Sequence, residues 1–176
     1  MKLVDALEDD DDVQTVTEPV AGFVGGAHTQ RIRIRRDRGS QDFLHSAVLG
    51  AWMAIQSVFM CGARLSHPVG HQLGASWGIP HGVTSCIALP ASMRALNEIT
   101  PAVSSKVAPL FGTTNGNKAA DELTKFVAQL GLPTRLRDTD AVESEIPQVA
   151  SAIEHEFQTM GREAEVDVEA LLRSMW

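Results

Sequence analysis

Apolar residues recur every three to four positions along most of the chain after Gln41, a spacing typical of α-helices. The first run lasts from Phe43 to Phe59, is apolar on nearly all sides and stops before Gly62, so we predict a buried helix capped by Asp42. Further runs predict helices over 66–77 with Gly78 as the stop, and over 83–97 with Pro90 as a break or kink.

The rest of the chain continues the helical pattern. It predicts helices over 101–110, from a cap at Asn117 to Leu130, over 142–157 and over 168–176. No alternation of strands and helices follows residue 40. The predicted fold is therefore an all-α helical bundle over residues 41–176. Residues 1–40 combine an acidic run, clustered glycines and an arginine stripe, and predict a poorly structured N-terminal segment with one short helix and at most one strand.

Composition narrows the class of protein. The 176 residues suit one domain, and a net charge of −7 argues against a nucleic-acid partner. The alternating arginines from Arg31 to Arg38 fit an edge strand or solvated connector better than a nucleic-acid arm, because no aromatic residue lies between them. No apolar run reaches membrane-spanning length and no signal peptide is apparent, so we expect a cytoplasmic protein without a membrane partner. Cys61 and Cys86 are expected to be buried reduced thiols.

Three of the six histidines, His67, His71 and His81, lie in one glycine-rich stretch, LSHPVGHQLGASWGIPHG. On a helix, His67 and His71 lie on the same face one turn apart, and the turn at 78–80 can return His81 towards that face. Each histidine could be a satisfied core residue, a proton carrier or a metal ligand. Their clustering favours a site, but spacing chooses neither the metal nor the reaction.

Four other residues have competing interpretations. Trp52 and Trp77 are predicted to be core residues rather than platforms for a substrate. Arg94 could meet an acidic substrate, although a surface salt bridge is favoured. His155 is predicted to be a solvated helix residue with acidic neighbours.

The stretch from His67 to Pro90 resembles the signature of the iron-containing (group III) alcohol dehydrogenases, in particular their maleylacetate reductase-like branch. The matching pattern is H-x-x-x-H-x-L-G, then a P-H-G turn, then an apolar helix ending in L-P. Gly50 to Ala54 and Gln129 to Pro133 continue the match.

This resemblance implies the helical C-terminal domain of a dehydrogenase whose metal and substrate lie between that domain and a preceding nucleotide-binding domain. It implies that His67 and His81 are metal ligands and that His71 transfers a proton or contacts the substrate. The implied cofactors are a divalent metal, iron or zinc, and NAD(H) or NADP(H). The implied reaction is reversible hydride transfer with a small-molecule carbonyl or alcohol substrate.

The chain departs from the family pattern upstream of the signature. It has neither the glycine-rich phosphate loops nor the Asp-x-x-x-His pair that completes the metal shell in the family, since Val24 and Gln41 stand four residues before His28 and His45. We therefore expect the isolated chain to be inactive and to need a nucleotide-binding partner chain.

Two other functions compete with the dehydrogenase interpretation. One is a truncated, non-catalytic helical module that acts in oligomerisation, with a homo-oligomer as the expected state. The other is metal-dependent hydrolysis, which is disfavoured because no glutamate lies between His67 and His71.

Overall fold

The structure, a computed structural model, describes residues 48–50, 52, 56 and 64–176, with the side chains at 103–105 left out of that description. All regular structure in this part of the chain is helical, which confirms the predicted all-α fold. The helices are α1 (Ser66–Trp77), α2 (His81–Ile99), α3 (Pro101–Val107), α4 (Gly116–Gln129), α5 (Ile146–Thr159) and α6 (Val168–Ser174). The N-terminal segment 1–40, the arginine stripe, the cap at Asp42 and Cys61 lie outside the described residues.

Short 3₁₀ turns account for the two largest differences between predicted and observed helix ends. The predicted helix 101–110 is α3 followed by the 3₁₀ turn Ala108–Phe111, and the predicted start of α5 is the 3₁₀ turn Glu143–Glu145. A third turn, Leu136–Asp138, lies between α4 and α5. Such turns tighten the chain at helix ends, where local spacing alone sets the boundary poorly.

The main core lies where α1 meets α2 and α5, with α6 packed against α2 and α5. The apolar face of α5 repeats at three and four residues, which places its large side chains together on this core. The most completely buried large residues in the described part are Leu73, Leu136, Ile146, Ile153 and Leu172.

α4 packs on α2 through a second set of buried residues that includes Leu123 and Phe126. Its cap differs from the predicted one. The Asn115 side chain accepts a 3.1 Å hydrogen bond from the amide of Lys118, so Asn115 and not Asn117 caps the helix. The Asn117 side chain instead accepts a hydrogen bond from Asn97 on α2. Both asparagines suit a cap locally, and only the path of the chain decides between them.

α2 does not break at Pro90. The helix is continuous from His81 to Ile99, with Pro90 in its interior and buried. Proline removes one backbone donor from the helix. Because α2 lies between α1 on one side and α4 on another, tertiary packing overrides this local preference.

The helical residues at 48, 49 and 52 correct two predictions. Val48 is 60% exposed and Trp52 is 58% exposed, so this stretch is not buried throughout and Trp52 is not a core residue here. An apolar side chain favours burial, but its identity does not show whether another part of the structure covers it. In the part of the chain that is described, no helix combines the length and hydropathy needed to cross a membrane.

Candidate functional site

The three clustered histidines lie together at the junction of α1 and α2. His67 and His71 follow each other on one face of α1, and their ring centroids are 5.5 Å apart with the rings nearly parallel. His81 is the first residue of α2, and its ring centroid lies 5.8 Å from that of His67 and 6.2 Å from that of His71. The tertiary structure therefore brings together the three imidazoles that the sequence singled out.

The turn between the two helices explains this convergence. Gly78 ends α1 with a left-handed φ of 66°, and its amide donates a 3.0 Å hydrogen bond to the carbonyl of Gly74. A left-handed residue at this position is the common way to end a helix and redirect the chain. Two residues later Pro80 precedes α2, so the chain reverses within three residues and returns His81 beside α1.

Glycines inside α1 allow the close approach of neighbouring backbone. A Cβ on Gly70 would lie 3.2 Å from Thr84 Oγ1 on α2, and a Cβ on Gly74 would lie 3.2 Å from the carbonyl oxygen of Ile79. Thr84 Oγ1 in turn donates a 2.9 Å hydrogen bond to the carbonyl of His81. The glycines thus hold the start of α2, and with it His81, against α1.

The donor set suits a partial metal shell. Imidazole nitrogens bind zinc at about 2.0–2.1 Å, so two rings on one ion have centroids roughly 5–6 Å apart. The separation of His67 and His81 falls in that range. Among the residues that the structure describes, however, no group of three or more His, Cys, Asp or Glu side chains is placed to hold an ion.

A carboxylate that sequence reasoning missed lies beside the histidines. Glu156 on α5 has one oxygen, Oε1, 3.2 Å from His71 Nδ1, and its other oxygen, Oε2, accepts a 2.6 Å hydrogen bond from Gln72 Nε2. The Glu156 side chain is 17% exposed and that of His71 is 63% exposed. Glu156 lies 85 residues from His71 along the chain, so no local signal could have identified the pair.

The structure also describes four other residues that the sequence singled out: Trp77, Arg94, Cys86 and His155. Trp77 is buried, as predicted, and donates a 2.8 Å hydrogen bond to Glu145. Arg94 forms the predicted surface salt bridge, at 2.8 Å from Asp121. Cys86 is buried and His155 is exposed, both as predicted.

Residues 31–176 match the model of one protein family, described as the Fe-containing alcohol dehydrogenase family, C-terminal. Two enzymes show sequence similarity over part of their length. Lactaldehyde reductase of Escherichia coli is 28% identical over 142 residues, which cover 76% of this chain and 37% of that protein. Maleylacetate reductase of Rhizobium sp. is 33% identical over 91 residues, which cover 52% of this chain and 25% of that protein.

Solved structures show the same fold. The crystal structure of the Rhizobium maleylacetate reductase superposes with a TM-score of 0.81 at 22% identity, covering 99% of this chain and 49% of the other. An iron-containing alcohol dehydrogenase from Corynebacterium glutamicum gives a TM-score of 0.77 at 21% identity, with the same coverage. The chain thus spans about half the length of these relatives or less.

Proposed function

Because this chain belongs to the Fe-containing alcohol dehydrogenase family, through the family's C-terminal part, we propose that it forms the helical half of a metal-assisted NAD(P)-dependent oxidoreductase. In this proposal the substrates are small alcohols and carbonyl compounds. The names of the similar enzymes, lactaldehyde reductase and maleylacetate reductase, favour a carbonyl compound as the substrate to be reduced.

The observation that carries the proposal is the convergence of three imidazoles at the start of α2. A chain that needed these histidines only for packing would bury them, yet His71 and His81 are exposed and His67 is half-buried. Their rings lie 5.5–6.2 Å apart, at the junction where glycines hold α1 and α2 together. This arrangement suits a site that is completed by a second surface.

We assign His67 and His81 as metal ligands and His71 as the residue that moves a proton. A bound iron or zinc ion would supply a Lewis acid for the substrate oxygen, while the reduced nicotinamide would supply the hydride. His71 stands beside both ligand residues, so its imidazole can take up the hydroxyl proton of an alcohol or return it to a carbonyl oxygen.

A separate polypeptide supplies the nucleotide-binding half in this proposal. In this proposal the partner contributes the nicotinamide site and the remaining metal ligands, and His67 and His81 of this chain complete the metal shell.

Turnover in a reconstituted mixture tests the proposal. The chain is combined with a nucleotide-binding polypeptide from the same organism, with iron(II) or zinc, with NADH or NADPH, and with lactaldehyde or maleylacetate. We expect loss of the absorbance of the reduced nicotinamide only when both polypeptides and metal are present.

Histidine variants provide the controls for this assay. His67→Ala and His81→Ala should abolish turnover, whereas His155→Ala, on the exposed side of α5, should leave the rate unchanged. A mixture with bound metal that turns over none of these substrates would contradict the proposal.

A second candidate is a non-catalytic module that self-associates. It is favoured by the exposure of Val48, Leu49 and Trp52, three large apolar residues close together in one helical stretch. Light scattering distinguishes the two functions when it is combined with metal analysis. A stable homo-oligomer that dissociates on Trp52→Ser and binds neither metal nor nicotinamide would favour the second candidate.

A further inference from the structure

Glu156 makes a two-point contact with α1 beside the candidate site. Its carboxylate reaches two successive residues of that helix, His71 through Oε1 and Gln72 through Oε2. The Glu156 side chain is largely shielded from solvent, while the ring of His71 is mostly exposed. The contact therefore holds one edge of an otherwise solvent-facing imidazole.

The chemistry of the contact determines which nitrogen of His71 carries the proton. An ionised carboxylate has only acceptor atoms, so a hydrogen bond between it and Nδ1 requires a proton on Nδ1. In a neutral imidazole only one nitrogen is protonated, which leaves the other, Nε2, as an acceptor. We propose that Glu156 is a positioning residue that keeps His71 in its Nδ1–H tautomer and makes Nε2 the nitrogen that faces the substrate.

Gln72 restrains the carboxylate itself. Its amide Nε2 donates to Glu156 Oε2 at 2.6 Å, so both carboxylate oxygens are engaged and rotation of the group is limited. A restrained acceptor orients a ring better than a mobile one, in the way that an outer carboxylate orients a histidine in metal sites.

A simple tie between α1 and α5 is the competing explanation. A single partly exposed side-chain contact contributes little to stability, and α1 and α5 already share the main core through residues such as Leu73 and Ile153. The tautomer of His71 distinguishes the two roles, because a helix tie could be lost without any change of tautomer.

The inference deepens the proposed function and rests on it for the proton-transfer role of His71. Its structural content can be measured on the full chain without any partner, metal or substrate. Two-bond ¹H–¹⁵N correlation spectra report which imidazole nitrogen is protonated, when recorded at a pH above the ordinary titration range of histidine. The spectrum of His71→Gln identifies the His71 signals by their disappearance.

We expect the Nδ1–H tautomer of His71 to dominate in the unmodified chain. Glu156→Ala should reverse the majority to Nε2–H, since the acceptor for Nδ1–H is gone. Glu154→Ala removes the same charge from an exposed position on α5 and should leave the tautomer unchanged. Gln72→Ala removes the other half of the contact and should also keep Nδ1–H as the majority, even if it lowers the melting temperature.

Two results would overturn the inference: a dominant Nε2–H tautomer in the unmodified chain, or an unchanged Nδ1–H majority in folded Glu156→Ala. If Glu156→Ala does not fold, as judged by circular dichroism, the unmodified spectrum and that of Glu156→Gln decide the question. A dominant Nδ1–H tautomer without turnover in the reconstituted mixture would retain this inference and remove the proposed function. Turnover together with a dominant Nε2–H tautomer would retain the proposed function and remove this inference.

Discussion

At the scale of single residues, the candidate site contains three imidazoles of the same chemistry, for which we propose different roles. His67 and His81 are placed as a pair that one ion could bridge, whereas His71 is distinguished by the carboxylate of Glu156. The presence of a histidine is thus not sufficient to assign its role. The hydrogen-bond acceptor beside the ring, here Glu156, distinguishes one histidine from another.

Zinc titration of the isolated chain tests the ligand assignment at this scale. Removing a group that only orients a ligand weakens metal binding about 10–100-fold, and removing a ligand should have at least that effect. We therefore expect His67→Ala and His81→Ala each to raise the Kd for zinc at least about tenfold in isothermal titration calorimetry.

The matched control for this titration is another histidine of the same chain. His155 is exposed on α5 and outside the cluster, so His155→Ala should leave zinc binding unchanged. Equal losses in all three variants would show that zinc binds nonspecifically to exposed imidazoles.

At the scale of elements, the site is built by the unit α1–turn–α2. α1 begins and ends at the predicted residues, Ser66 and Trp77, because the apolar spacing and the glycine stop are both local signals. α2 begins at His81, two residues before the predicted start, which makes His81 part of a helix and fixes its direction. The predicted cap at Asn117 was wrong for a related reason, since two nearby asparagines present the same local signal.

Substitution of two glycines in this unit should give opposite changes in stability. Gly78 has a left-handed φ of 66°, so Gly78→Ala should lower the free energy of unfolding by about 1–2 kcal/mol. Gly82 lies in the first turn of α2, where an added Cβ would meet nothing within 4 Å, so Gly82→Ala should raise it by up to about 1 kcal/mol.

Urea denaturation followed by circular dichroism measures both changes. Because both variants add one methyl group to the same short segment, any general effect of side-chain size cancels in the comparison. A loss of stability for Gly82→Ala as large as that for Gly78→Ala would contradict the role given to the turn.

At the scale of the whole molecule, the candidate site depends on the main core, on which α1, α2 and α5 pack. α5 contributes both to that core, through Ile153, and to the site, through Glu156. The packing of Ile153 in the core therefore determines where α5 places the Glu156 carboxylate relative to the histidines.

Truncation of Ile153 tests this dependence on the core. Ile153 is fully buried, so Ile153→Ala should lower the free energy of unfolding by about 2–5 kcal/mol. Val142 is 44% exposed, and Val142→Ala should change it by less than about 0.5 kcal/mol. Thermal unfolding of the two variants provides the measurement, and similar melting temperatures would show that this core is not the main source of stability.

The sequence alone determined the fold class, most helix ends to within about two residues, and the pairing of His67 with His71. These features depend on residues within a few positions of each other, where helical geometry fixes which side chains are neighbours. The signature from His67 to Pro90 was also sufficient to indicate the family, which the match over residues 31–176 shows.

Only the tertiary structure decided how near His81 comes to the other rings, which carboxylate meets His71, and whether Trp52 is buried. Each of these depends on how whole helices pack, and the partners, such as His71 and Glu156, are 85 residues apart in the chain. Local periodicity specifies the face that a helix must bury, but the contacts between helices are set by the shape and volume of all the side chains that meet there.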